Sequence, residues 1–128
     1  MTKNYLIELS NGITEISFIK KAELIDLCNA MDDVADNYFS ELRLWDMSCG
    51  VNLSTSDIKK VAEYGKLKFL TPGRSAIVAP TDLTYGTARM GDVYREDNVI
   101  VQKVFRTKQK ALDWLYSQRS ELSVDDAI

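Results

Sequence analysis

The residues able to do chemistry are few, and one type is missing outright: the 128-residue chain contains no histidine. That removes the Ser-His-Asp and Cys-His nucleophile systems, the His-containing zinc sites and the commonest pH switch near neutrality. Carboxylate, Lys, Tyr, Cys and hydroxyl chemistry remains. Cys28 and Cys49 make neither a C-x-x-C motif nor a zinc ligand set. Asp32, Asp33 and Asp36 cluster, yet they lack the D-x-[DN]-x-[DN]-G spacing of a calcium loop, so no metal is expected. Gly50, Gly65, Gly73, Gly86 and Gly91 form no G-x-G-x-x-G or P-loop pattern. No nucleotide or other cofactor is expected.

Two sets of residues stay in play. Asp46 follows a central-strand pattern, Asp82 opens a helix, and Tyr85 and Arg89 stand one helical turn apart. Together they would line the carboxyl end of a parallel sheet, where ligands gather. Tyr85 and Arg89 would polarise a carbonyl or an anion there; the plainer alternative is an exposed helix face carrying a local stacked pair. No assembled constellation marks a catalytic residue, so no enzyme is expected. The second set is Ser54, Thr55 and Ser56, followed by Asp57, where a hydroxyl can cap the next helix.

Composition bounds the rest. At 45% apolar and 27% charged residues, the chain matches one ordinary globular domain. The net charge of -3 argues against a general nucleic-acid binder, which needs phosphate-neutralising cations. The densest basic cluster is Lys103, Arg106, Lys108 and Lys110, at one strand-to-helix junction. It reads as a solvated rim or as a local anion patch. No apolar run approaches the ~20 residues of a membrane span. The N-terminus passes straight into a strand pattern, so no signal peptide and a cytoplasmic location are expected.

The elements that must position these residues alternate. Tyr5-Leu6-Ile7-Glu8-Leu9 and the run Ile13–Ile19 read as strands joined by Asn11-Gly12, the strongest short hairpin signal. Ile13 competes with Ile16 and Phe18 for the core face. Leu24, Leu27, Cys28 and Met31 then make a helical stripe, which makes Cys28 a reduced core thiol. Leu42 to Met47 suits a central strand, and Ile58, Val61, Ala62 and Gly65 face one side of a second helix that Gly65 is expected to weaken or end. The run from Arg74 to Pro80 has an unbroken apolar middle, as a strand buried on both faces requires. Thr81 caps a third helix with Leu83, Thr87, Met90 and Tyr94 inward and Gly86 close to the sheet. Val99 to Phe105 is a fifth strand. Thr107 caps a last helix that buries Ala111, Leu112, Leu115 and Tyr116.

This order, with particular residues, resembles the bacterial SpoIIAA-like family, whose fold is related to STAS and Sec14-like lipid-binding domains. The likeness is carried by Arg74-Ser75-Ala76-Ile77-Val78-Ala79-Pro80-Thr81-Asp82 leading into Tyr85-Gly86-Thr87-Ala88-Arg89-Met90. Val104-Phe105 with Ala111-Leu112-Asp113-Trp114-Leu115 and the stretch Leu44-Trp45-Asp46-Met47-Ser48 add to it. The resemblance implies a single α/β domain over residues 1–119, with a mostly parallel mixed sheet that starts in an antiparallel hairpin and about four helices; the residues from Ser120 on read as a loosely attached tail over 120–128. In STAS anti-sigma antagonists a phosphorylatable Ser opens the helix after the third strand, in an Asp-Ser-Ser/Thr-Gly motif. The matching positions are Ser54-Thr55-Ser56-Asp57, where Ser54 replaces the Asp and Asp57 the Gly. An acid at Asp57 would repel an added phosphate, so an ordinary cap is the expected reading and phosphorylation the sharper one.

The expected role is therefore a non-enzymatic regulatory or protein-interaction domain that meets an unidentified protein partner through Cys49–Asp57. The alternative is a small apolar ligand or lipid in a Sec14-like pocket, lined by some of Tyr38, Phe39, Tyr64, Phe69, Tyr85 and Tyr94. A homodimer through exposed helix faces or the first hairpin is left open.

Overall fold

A computed structural model describes residues 3–95 and 99–126. Strands and helices follow one another as β1 (Tyr5–Ser10), β2 (Ile13–Phe18), α1 (Leu24–Asn37), β3 (Leu42–Asp46), α2 (Thr55–Lys68), β4 (Gly73–Val78), α3 (Asp82–Arg95), β5 (Ile100–Phe105) and α4 (Lys108–Asp126). The five strands lie side by side in chain order; β1 is antiparallel to β2, and the other pairings are parallel. The hairpin is the two-residue kind: Ser10 pairs with Ile13, and Asn11 and Gly12 take positive φ of 55° and 76°. Those dihedrals let the turn follow the twist of the strands.

A sheet that steps in one direction through right-handed crossovers keeps every crossover helix on the same face. Thus α1, α2 and α3 share one side, while α4 returns across the other and packs on β3, β4 and β5. Both faces are covered, which dissolves the competition within β2. Ile13 joins Leu42, Leu44, Ala76 and Val78 under Ala111, Leu115 and Leu122 of α4. Ile16 and Phe18 join Trp45, Leu27, Met31 and Val34 on the opposite side. One period-2 strand thus serves two cores.

Four expectations change. Gly65 does not end α2, which continues to Lys68; the glycine is buried, and an added Cβ would run into the Arg95 guanidinium. Gly86 approaches nothing, since an added Cβ there would meet no atom within 4 Å. In α3 half of the stripe expected inward is turned out: Leu83 is 80% exposed and Met90 is exposed too, while Thr87 faces inward and Tyr94 is half-buried. The inward stripe is Thr84, Thr87, Ala88, Gly91 and Arg95. Its small residues admit α2, with a Cβ at Gly91 standing 3.6 Å from Ile58 Cγ2. Finally, α4 runs through residue 119 without a break to Asp126, and Leu122 is buried in the α4-side core. That apolar contact holds the helix where sequence reading expected a tail. Residues 127 and 128 lie outside the described ones.

Candidate ligand cavity

The inward stripe of α3 decides what lies beneath it. Where Leu or Phe would fill the space over β3–β5, the helix offers Thr84, Thr87, Ala88 and Gly91. A cavity of about 120 Å³ is left between α3, α2 and the sheet. Trp45 and Ile77 form its floor, Ile58, Val61 and Ala62 of α2 one wall, and Leu27 and Met31 of α1 the far corner. Met47, Val51 and Leu53 line it at the carboxyl end of the strands. Phe69 lines it at the amino end, together with two arginines, Arg43 and Arg95.

The wall is mainly apolar, and most of its polar groups are already engaged. The Trp45 indole donates to Ser75 Oγ at 3.2 Å. Thr81 Oγ1 donates to Thr84 Oγ1 at 3.0 Å, and the Thr87 hydroxyl to the Leu83 carbonyl at 3.0 Å. Gln102 hydrogen-bonds the Asp92 carboxyl, which burial raises above the usual carboxylate range. Arg43 differs. It is the second residue of the central strand and is 1% exposed. Its Nη1 donates to the Ser40 carbonyl at 2.7 Å, and its guanidinium lies 4.2 Å from the Phe69 ring centre. Nε and Nη2 are buried with no hydrogen-bond partner. Burial and the neighbouring Arg95 lower the Arg43 pKa to about 10, with Glu41 opposing. At neutral pH the group is still charged. A charged donor left bare in an apolar site is a costly feature, and it is where a ligand contact would be repaid.

The residues singled out from sequence sit elsewhere. Asp46 accepts from the backbone N–H and the hydroxyl of Ser48, a local turn at the strand end. Asp82 is almost fully exposed and pairs with Arg106 at 2.7 Å. Arg106 also stacks over Tyr85 at 4.1 Å, while Arg89 faces Asp92 at 3.7 Å. Tyr85 and Arg89 therefore take different partners, and none of Asp46, Asp82, Tyr85 or Arg89 lines the cavity. In the basic cluster, Lys108 pairs with Glu15. Cys28 is half-buried, and burial and Asp32 raise its thiol pKa.

At the start of α2, Ser54 Oγ accepts from the Asp57 N–H at 3.1 Å, and the Asp57 carboxylate accepts from the Ser54 N–H at 3.1 Å. This is a closed capping box, with Thr55 and Ser56 exposed beside it. Of the six aromatics considered for a pocket, Phe69 alone lines the cavity. Tyr64 instead donates to Asp32, and Tyr94 lies under Lys59. Sequence reading missed Arg43 and Arg95. The signal for Arg43 was present: alternation in a strand buried on both faces puts residue 43 on the same side as Trp45.

No protein-family model and no curated protein matches the chain. A solved structure does: an uncharacterized protein from the DUF3478 family with a SpoIIAA-like fold, from Shewanella loihica PV-4. The two are 23% identical, the match covers 87% of this chain and 91% of the other, and the TM-score is 0.53. The fold is SpoIIAA-like. In this SpoIIAA-like sheet the hairpin edge is antiparallel and the remainder parallel, with α4 alone on its face among the described helices. The cavity lies on the three-helix face. No helix among the described residues is long and apolar enough to cross a membrane.

Proposed function

We propose that the protein is a non-enzymatic binding domain whose cavity takes a small apolar ligand. One observation carries this reading: a partly open, mostly apolar cavity of about 120 Å³ over the central strands, made by a helix that turns its small side chains inward. A void of that size forfeits packing on every wall, and an engineered apolar cavity of about 150 Å³ takes up benzene. The occupant is therefore the size of one ring or a short chain, below the ~300 Å³ at which drug-sized pockets begin.

The regulatory partner surface expected over Ser54–Asp57 has weaker support. The Ser54 hydroxyl and the Asp57 carboxylate are engaged with each other, so a phosphate on Ser54 would break the box and meet Asp57 at close range. Exposed Thr55 and Ser56 keep that reading testable: Thr55→Asp leaves the box intact and should leave ligand uptake unchanged.

The test is a titration with benzyl alcohol and hexanol, followed by methyl NMR. Saturable shifts confined to Ile58, Ile77, Ala88 and their neighbours are expected, and Ala88→Leu should abolish them. Shifts that never saturate, or that scatter over the α4 face, would remove the proposal.

A further inference from the structure

We infer that the ligand is an anion, a small apolar carboxylate whose charged end docks on the free edge of Arg43; this rests on the cavity being a ligand site. The geometry of the bare atoms is specific. Nη1 is committed to the Ser40 carbonyl, and the two nitrogens without partners are Nε and Nη2. Those two form a single edge of the guanidinium, with parallel N–H bonds that match the two oxygens of one carboxylate. A hydroxyl or an amide oxygen would satisfy only part of that edge.

The surroundings hold the edge in place. Phe69 stacks on the guanidinium face, which fixes its plane. Gly73 lets the neighbouring strand come close, since a Cβ there would stand 3.2 Å from Nη2 and 2.8 Å from the Glu41 carbonyl oxygen. Across the cavity mouth of the sheet, Arg95 lies over the bare Cα of Gly65 and adds a second positive charge, and no Asp or Glu lines the cavity among the described residues. Ser75, Thr84, Thr87 and Gln102 have partners of their own, whereas Arg43 keeps two nitrogens without one. An apolar body over Trp45 and Ile77 with a carboxylate at Arg43 satisfies both ends. The volume favours a free short acid over the acyl chain of a lipid.

Matched pairs on one carbon skeleton test this. Benzoate and hexanoate are titrated at pH 7 against benzyl alcohol and hexanol, with hexadecanoate as the long-chain arm, using calorimetry and NMR. The acids should bind at least about tenfold tighter than the alcohols, about 1.4 kcal/mol. Arg43→Met should erase that preference while leaving alcohol binding in place, and Arg43→Lys should recover part of it. Equal binding of acid and alcohol by the wild type would overturn the anion assignment and leave the cavity reading standing. A preference that survives Arg43→Met would overturn the role of Arg43. Tighter binding of hexadecanoate than of hexanoate would overturn the short-acid class. Binding of none of these probes would remove the cavity reading and this inference with it. The wild-type comparison needs no variant to fold, so the result stands even if Arg43→Met is unstable.

Discussion

The two faces of the sheet are built to different ends. On the α4 side, Leu44, Ala76, Ala111 and Leu115 are each fully buried, and Ile13, Leu42, Val78 and Leu122 are nearly so. On the three-helix side, the same strands present Trp45, Ser75, Ile77 and a buried arginine to a void of about 120 Å³. By the cost per unit of unfilled volume in engineered cores, that void forgoes about 3 kcal/mol of packing. Set against a total stability of about 5–15 kcal/mol, the loss is large. Proteins hold such deficits where a site requires them. The difference teaches that the α4 layer is packed throughout, while the three-helix layer combines a core around Ile16, Ala30 and Val34 with unfilled space able to bind.

Substitutions that treat the faces alike should give unlike results. The largest effect is expected from Leu115→Ala, which empties the centre of the α4 layer and should cost about 2–5 kcal/mol in urea denaturation. If it costs no more than Ile77→Ala beside the existing void, the contrast between the faces fails. Next come two changes of the same chemistry. Ala111→Leu has no room and should cost about 1–3 kcal/mol by overpacking. Ala88→Leu grows into the cavity and should raise stability by about 1 kcal/mol while blocking ligand uptake. Thermal melts of the pair read the sign directly, and equal signs would mean that the cavity collapses in solution. Arg43→Met follows, with stability unchanged or raised by up to about 2 kcal/mol, because removing an unpaired buried charge offsets the lost bond to Ser40 and the Phe69 stack. A marked loss of stability would make Arg43 a structural residue.

The sequence carried the fold through patterns with few rival solutions. Asn11-Gly12 admits hardly any turn but the tight one, and the apolar run at Ala76-Ile77-Val78 demands cover on both faces. Thr81 and Thr107 act as the caps that were expected of them, through bonds to the Thr84 and Lys110 N–H groups. The site was harder to see because hydrophobic patterning assumes that a helix turns its largest apolar side chains inward. In α3 that assumption points to Leu83 and Met90, both exposed, and away from Thr84, Ala88 and Gly91, which form the cavity roof. A cavity is an absence of side chain, and periodicity does not record absences. Arg43 was hidden by the opposite habit, that a charged residue inside a strand marks its solvent face; in a strand covered on both sides there is no such face.

The smallest expected effect concerns how the cavity-side layer is fastened at its edge. α4 is held by apolar contact, by the Lys108–Glu15 pair and by Gln118 on Arg74, whereas α1 is tied by two carboxylates whose pKa values are lowered in the fold. Asp33 meets Asn37, Lys3 and the Tyr5 hydroxyl, and those contacts hold its pKa below the usual carboxylate range. Asp32 is lowered likewise by Tyr64 and Lys68. A carboxylate with a depressed folded-state pKa binds fewer protons than its unfolded counterpart. Its contribution is therefore complete above the unfolded value near ~3.9 and is lost as pH falls through the lower folded value. Both aspartates lie near the surface, so each contributes well under about 1 kcal/mol after solvent screening. Asp33→Asn should flatten the decline in stability between about pH 5 and pH 2 by removing a small contribution, well under about 1 kcal/mol, at pH 7 while leaving stability at pH 2 nearly unchanged. Amide exchange at low pH should then open α1 before α4, since acid weakens the Asp32 and Asp33 ties on α1 and only the Lys108–Glu15 pair on α4, whose apolar packing stays intact. Opening in the reverse order would mean that the three-helix face, despite its void, is the better-anchored layer.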